Sequence, residues 1–329
     1  MTEQLEARVR WLDSAEWDAI VAPSPGATGF HARGWLEAMA AWDRRWKPRA
    51  LALPLADGAV AALPMLARSG WIRRGLLSRA VSSHPTVYGG PVCASRSLTV
   101  EDWRAVLAGL RSAPIGRLEC FGNVLEPLPG ECAAELMCRE AETHLIDLTR
   151  LPDDALTSFE SSCRRAVRKA EKEGVRVARE TSAQALREYF DVYRDCLRRW
   201  GKRTDEGYPL SLFEALLGVS GVELWCARDA AGRIAAGGLF LFAARHCVYW
   251  QGALLEELAH VRPANALHHA LIVEARRRGC AYYDFNPSAG LDGVEEFKRK
   301  FGAQPTKFTA WRHRHPWVAM LDRKSARRG

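Results

Sequence analysis

The stretch Tyr282-Tyr283-Asp284-Phe285-Asn286-Pro287-Ser288-Ala289-Gly290-Leu291-Asp292-Gly293-Val294-Glu295-Glu296-Phe297-Lys298-Arg299-Lys300-Phe301-Gly302 passes from a short apolar strand through a polar turn into a helix with its own start and stop signals. Asp292 can accept hydrogen bonds from the first free backbone N–H groups, Glu295 stands three residues on, and Gly302 supplies a left-handed stop. The spacing predicts a helix from Gly293 to Phe301. Val294, Phe297 and Phe301 then share one apolar face, while Glu295 with Arg299 and Glu296 with Lys300 make acid-before-base pairs at i,i+4. Lys298 has only Val294 one turn back, so it lies beside the apolar stripe, able to point toward the polar residues Asp284, Asn286 and Ser288. A solvated lysine on an ordinary amphipathic helix satisfies the same spacing.

At 329 residues the chain can form two domains of ordinary size, and an apolar fraction of 48% with 12 tryptophans marks it as globular. Lys and Arg outnumber Asp and Glu by 47 to 39, a net charge of +8, which favours an anionic partner such as RNA, a nucleotide, pyrophosphate or an acidic membrane face. The nine cysteines are scattered singly, with no C-x-x-C and no companion His at zinc-finger spacing. They read as reduced thiols, and no metal site is expected. No charged-then-apolar leader precedes Trp11, and no apolar run approaches the ~20 residues that span a bilayer. The expectation is a cytoplasmic protein that can touch the inner membrane surface peripherally.

In the first half a helix is predicted over Phe30 to Trp42, with Trp35, Leu36, Met39 and Trp42 as its core stripe. Arg49 to Leu55 and Val60 to Leu66 are joined across Asp57-Gly58 as a hairpin. A strand at Trp71 to Leu77 and a loop from Ser82 to Pro91 follow. In that loop Tyr88-Gly89-Gly90-Pro91 is either a turn or a place where backbone approaches a ligand closely. Thr99 with Asp102 caps a second helix to Leu110, Gly116 to Phe121 returns as a strand, and Glu131 to Asp147 holds the last strand. No G-x-S-x-G, P-loop or H-E-x-x-H occurs. His84 and His144 stand alone and are taken as structural.

The second half opens on Ser161 to Gly174, read as a serine-capped helix with five bases against two acids on its outer faces. Such a block is either a solvated face or a surface for phosphates. Leu186 to Arg199 forms a longer helix that ends in Arg199-Trp200-Gly201, and Pro209 to Leu217 forms another. Strands at Val222 to Arg228, Ile234 to Phe242 and Cys247 to Gly252 precede a helix from His268 to Arg278. A closing strand at Pro305 to Arg312 leads into a basic tail, with Trp317, Val318 and Leu321 able to pack. A strand-rich centre followed by helix, strand and helix indicates a mixed α/β domain.

Asp-Phe-x-x-Ser at 284–288 followed by Gly-Val-x-x-Phe-Lys-x-x-Phe-Gly at 293–302 resembles the C-terminal signature of the Fem family, the aminoacyl-tRNA-dependent transferases of the GNAT superfamily. Arg-x-x-x-Arg-Lys-Ala-Glu-x-x-Gly-Val at 164–175, Arg199-x-Gly201 and the Tyr-Gly-Gly-Pro at 88–91 are similar to that family too. The resemblance implies two tandem GNAT-like domains, 1–147 and 148–312, each a mixed, mainly antiparallel sheet flanked by helices, with a cleft between them and the 313–329 tail packed back on the first. It implies that Phe297 and Lys298 lie at the transfer site, that Tyr88 borders the acceptor and that Arg199 reaches the acceptor's phosphate. It also implies that Arg164, Arg168 and Lys169 hold RNA phosphates. Asn286 and Ser288 are candidate substrate contacts, and Asp284 is the nearest candidate base. The implied co-substrate is aminoacyl-tRNA, with no other cofactor. The implied acceptor is an amine, small or lipid-linked, resembling a peptidoglycan precursor or a natural product.

The donor can be questioned from the residues themselves. GNAT enzymes that use acyl-CoA cradle its pyrophosphate on backbone N–H groups at a helix start, where glycines permit close approach. At the matching place the chain has Arg262-Pro263-Ala264-Asn265-Ala266-Leu267, where Pro263 removes a donor and Asn265 and Leu267 replace small residues. An N-acyltransferase using acyl-CoA or an acyl carrier, and a non-catalytic RNA-binding or membrane-surface protein, remain the alternatives to aminoacyl transfer.

Overall fold

The computed structural model describes residues 9–68, 78–83, 87–201, 203, 206–288 and 292–320. The strand predicted at Trp71 to Leu77, the lone His84 and the end of the tail from Leu321 lie outside them.

The chain forms two compact units, one of Met1–Ala141 with Lys307–Gly329 and the other of Glu142–Thr306. The last strand is therefore divided between the units instead of closing the second.

The first unit contains β1 (Arg10–Trp11), α1 (Ser14–Val21), α2 (Arg33–Trp42), β2 (Lys47–Pro54), β3 (Val60–Arg68), β4 (Ser78–Val81), β5 (Val92–Cys93), α3 (Val100–Ser112), β6 (Ile115–Cys120) and α4 (Gly130–Ala133), and β7 (Met137–Asp147) leads out of it. Local chemistry sets these elements. Asp13 with Glu16 and Thr99 with Asp102 make reciprocal capping boxes at the starts of α1 and α3. Gly58, at φ +85°, makes the turn between β2 and β3. Trp103, Val106, Leu107 and Leu110 recur at helical spacing along α3 and are buried with Leu51, Leu53 and Leu63 of the sheet.

The second unit contains α5 (Ser161–Lys172), β8 (Arg176–Glu180), α6 (Ala183–Arg199), α7 (Leu210–Leu217), β9 (Val222–Arg228), β10 (Ile234–Ala243), β11 (His246–Leu254), α8 (Pro263–Arg277), β12 (Tyr282–Asp284) and α9 (Asp292–Arg299), and β13 (Gln304–Arg314) leads out of it. The N-cap of α5 is Glu160, which makes no side-chain cap bond, so the serine cap expected there does not form.

Both units repeat one strand order. In the first, β1 to β4 pair antiparallel, β6 then lies parallel to β4, and residues 311–314 of β13 run antiparallel beside β6. In the second, β8 to β11 pair antiparallel, β12 lies parallel to β11, and residues 145–147 of β7 run antiparallel beside β12. A parallel neighbour cannot be reached by a hairpin, and in the second unit α8 provides the crossover.

Successive strand residues face opposite sides. Accordingly Tyr249 packs on His268 of α8, whereas Trp250 packs on Phe213 of α7. Between these two layers β11 carries a bulge at Gln251, whose φ is +51° and whose carbonyl accepts from the Tyr189 hydroxyl. Gly252 follows because the Tyr249 ring occupies its side-chain space, with the hydroxyl 1.3 Å from where a Cβ would sit. Gly252→Ala is expected to displace that ring and lower stability by about 1–3 kcal/mol, read from urea denaturation.

Candidate active site

The site is assembled where β12 ends in the second unit. Asp284 is fully buried, and its carboxylate is held on both oxygens. Oδ1 accepts from Thr143 Oγ1 at 2.7 Å and from the Asn286 backbone N–H at 2.7 Å, while Oδ2 accepts from His246 Nε2 at 3.1 Å. The bond from Asp284 to the amide two residues on is an Asx turn. It holds Asn286 in the left-handed region, at φ +62°, which asparagine tolerates better than most residues. Asp284 therefore shapes a turn, and its saturated, solvent-free carboxylate is not placed to accept a proton from substrate.

The turned Asn286 carbonyl accepts from the ammonium of Lys298, which also donates to Ser288 Oγ at 2.7 Å. An ammonium has three donors, so one remains for a ligand. Lys298 is 3% exposed, although it is a lysine on a short helix near the surface. The helix departs from expectation in its first turn. Val294 is exposed, while Lys298 joins Phe297 and Phe301 on the inward side. Phe297 stacks edge-on against Phe301 and His268 and forms an aromatic wall beside the lysine.

Burial lowers the Lys298 pKa from 10.5 to about 8, with Asp284 and Glu295 opposing the shift by their charge. The same charge acts outward. His268, sealed among Phe285, Phe297 and Phe301 and paired with the Tyr283 hydroxyl at 2.7 Å, is lowered to about 3, first by burial and then by Lys298. His144, also buried, is lowered by burial and then by Lys298. Both imidazoles are neutral at physiological pH.

The remaining sequence candidates are placed elsewhere. Tyr88 is a fully buried core side chain of the first unit, packed on Phe30 and Phe308, and offers no face to a ligand. Arg199 is tied to Glu256 at 2.6 Å, to Asp195 at 3.4 Å and to the Leu254 carbonyl, so its guanidinium fastens the end of α6 to the end of β11. Arg164 turns back onto the Phe159 carbonyl. Arg168 and Lys169 are exposed, and with Arg165 and Lys172 they fall at i, i+3, i+4 and i+7. That stripe makes no ion pair among the described residues.

The first unit holds a cavity of about 540 Å³ that no sequence feature had indicated. It opens at the carboxyl ends of the parallel strands β4 and β6, and Trp46, Phe121, Trp311, Ser83, Arg139 and Arg312 line it. Its aromatic lining suits a ligand that carries a ring, and the Glu119 carboxylate, 3.9 Å from Arg312, offsets part of the cationic charge. The lining comes from five separate segments, so no local pattern could have announced it.

Residues 157–299 match the sequence model of the acetyltransferase (GNAT) domain family. No curated protein matches the sequence. Among solved structures, FemX aligns with 92% of this chain and 96% of its own at a TM-score of 0.70 and 16% identity. The C-terminal domain of a putative lysylphosphatidylglycerol synthetase from Agrobacterium fabrum covers 84% of this chain and 88% of its own, with a TM-score of 0.52 and 11% identity. L-PGS from Bacillus licheniformis covers 83% and 87%, with a TM-score of 0.50 and 14% identity. The 157–299 segment is thus a GNAT domain, and the chain as a whole has the FemX fold. The matched domain is of the N-acyltransferase (GNAT) class. Among the described residues no helix is long and apolar enough to cross a membrane.

The lowered Lys298 pKa has a definite sign in stability. Between pH 8 and 10.5 the unfolded chain holds a proton that the folded chain has lost, so folding gains as pH rises through that window. Relative to a Lys298→Met variant, the wild-type unfolding free energy is expected to rise by roughly 3 kcal/mol from pH 7 to 10.5. Paired denaturant melts at both pH values measure it, and a pH-independent difference would contradict a buried ammonium.

Proposed function

We propose that the protein transfers an aminoacyl group from aminoacyl-tRNA to an amine acceptor. The observation that carries this reading is the buried Lys298 ammonium, fixed by the Asn286 carbonyl and Ser288 Oγ with one donor free. In the reaction the neutral acceptor amine attacks the ester carbonyl, and the carbonyl oxygen takes up negative charge as the C–N bond forms. The free Lys298 N–H meets that charge in a water-poor setting, where a fixed cation counts most. The C–O bond to the ribose then breaks, and the proton lost by the amine goes to the departing ribose oxygen. Phe297 keeps water from the carbonyl.

Two further features support a tRNA donor over acyl-CoA. The exposed stripe Arg165, Arg168, Lys169 and Lys172 along α5 presents charge of the kind that binds RNA phosphates without reading sequence. At the start of α8, where a pyrophosphate cradle would lie, Pro263 has no N–H, and the Asn265 and Ala266 amides are already bonded to the Arg262 carbonyl. The name of the matched domain family is what favours acetyl-CoA.

Incubation with labelled aminoacyl-tRNAs and, separately, acyl-CoAs, each with a panel of amines, decides the donor. Label leaving acyl-CoA alone would reverse the assignment. Lys298→Met is expected to lower kcat by about 10²–10³ while the protein stays folded. Wild-type kcat should fall as pH rises through about 8, where the ammonium is lost. Arg168→Ala/Lys169→Ala should weaken tRNA binding and reduce its log–log salt slope by about 1–2, with kcat at saturation unchanged.

A further inference from the structure

Glu142 and His144 are two residues apart in β7, so their side chains leave the same face of the strand. Thr143, between them, faces the other way and holds Asp284. The His144 carbonyl accepts from the Phe285 N–H at 3.1 Å, which fixes this part of β7 beside the turn that follows β12. Glu295, in the first turn of α9, comes to the same place from the far end of the chain. One carboxylate oxygen from each glutamate and one ring nitrogen of His144 all lie within 4.8 Å of one another.

His144 is 2% exposed, and its Nδ1 is sealed from solvent without a hydrogen-bond partner. A buried imidazole nitrogen left unsatisfied is uncommon, because burying it costs free energy that a partner normally recovers. The two glutamates differ from His144 in freedom, Glu142 being exposed and Glu295 half-buried. Ligand atoms around tetrahedral zinc stand about 3.3 Å apart, given bonds of about 2.0–2.1 Å. The ligand atoms stand within 4.8 Å of one another, and glutamate side chains have three rotatable bonds through which to approach an ion.

We propose that Glu142, His144 and Glu295 form a binding site for one divalent transition-metal ion of the zinc class, with a fourth position open to water or ligand. One imidazole and two carboxylates make a donor set of borderline hardness that suits Zn²⁺ and excludes soft Cu(I). Lys298 and Arg299 are the cations close enough to act on His144, and they oppose the ion, so affinity is moderate. The inference does not depend on which acyl donor the protein uses.

The test is calorimetric titration of chelator-treated full-length protein with Zn²⁺, repeated with Co²⁺ to read ligand geometry from its absorption. One equivalent is expected to bind, and Glu142→Gln and Glu295→Gln should each raise Kd at least tenfold. Both substitutions lie on accessible side chains, and a thermal melt confirms that they fold. The exposed Cys138 is the obvious competing ligand, so Cys138→Ser is the control. Loss of binding in Cys138→Ser, unchanged Kd in both glutamine variants, or no one-equivalent binding would each overturn the proposal.

Discussion

The second unit depends on keeping an ammonium ion out of water. Lys298 is 3% exposed, and its lowered pKa means that burial costs the charged form more than its surroundings return. A helix of eight residues has no stability of its own to bear that cost. It is borne by the ring cluster of Phe285, Phe297, Phe301 and His268 on one side, and by the braced turn of Asp284 on the other. The turn is the more specific of the two. Without the carboxylate of Asp284 on the Asn286 amide, the backbone would have no reason to adopt a left-handed asparagine, and the carbonyl that receives Lys298 would point elsewhere.

The sheet explains why this turn lies where it does. β12 lies between β11 and β7, neither of which follows it in the chain, so the chain turns off the sheet at its carboxyl end. The same order in the first unit, β6 parallel to β4, leaves a similar opening, and the cavity lined by Trp46, Phe121 and Trp311 is found there. One architecture has thus been used twice with different linings. In the second unit the opening is closed by α9 and its lysine, whereas in the first it is faced with indole rings, guanidinium groups and the Glu119 carboxylate.

Much of this was legible locally. The hairpin across Asp57-Gly58, the capping box of Thr99 with Asp102 and the strand Val222–Arg228 are each set by a few neighbouring residues, and each stands as read. The signature helix was read correctly as an element, and Lys298 points toward Asn286 and Ser288 as its spacing allowed. Periodicity puts Val294 on the buried stripe and does not tell how deep Lys298 lies: the acceptors at Asn286 and Ser288 draw the lysine in, while Val294, in the first turn, is left exposed. Arg199 and Tyr88 were assigned by likeness of motif. Their partners, Glu256 on one side and Phe308 on the other, lie 57 and 220 positions away, beyond any local pattern. The trio of Glu142, His144 and Glu295 was invisible for the same reason, since a lone histidine gives no sign of a carboxylate arriving from α9.

Charge separates what the fold leaves open. The two acyl donors weighed above carry their anionic groups either as one compact pyrophosphate or as a long chain of phosphates, and these demand different receptors. A pyrophosphate needs several unspent N–H groups converging at a helix start. At α8 proline and the Arg262 carbonyl have consumed most of them, and a non-glycine residue at φ +60° holds that arrangement in place. A polyphosphate chain needs several cations repeated along one exposed surface. Along α5, Arg165, Arg168, Lys169 and Lys172 meet that description, with Cys163, Val167 and Ala170 buried on the opposite side to keep the helix in place. This contrast within one domain is what supports the proposed tRNA donor over acyl-CoA.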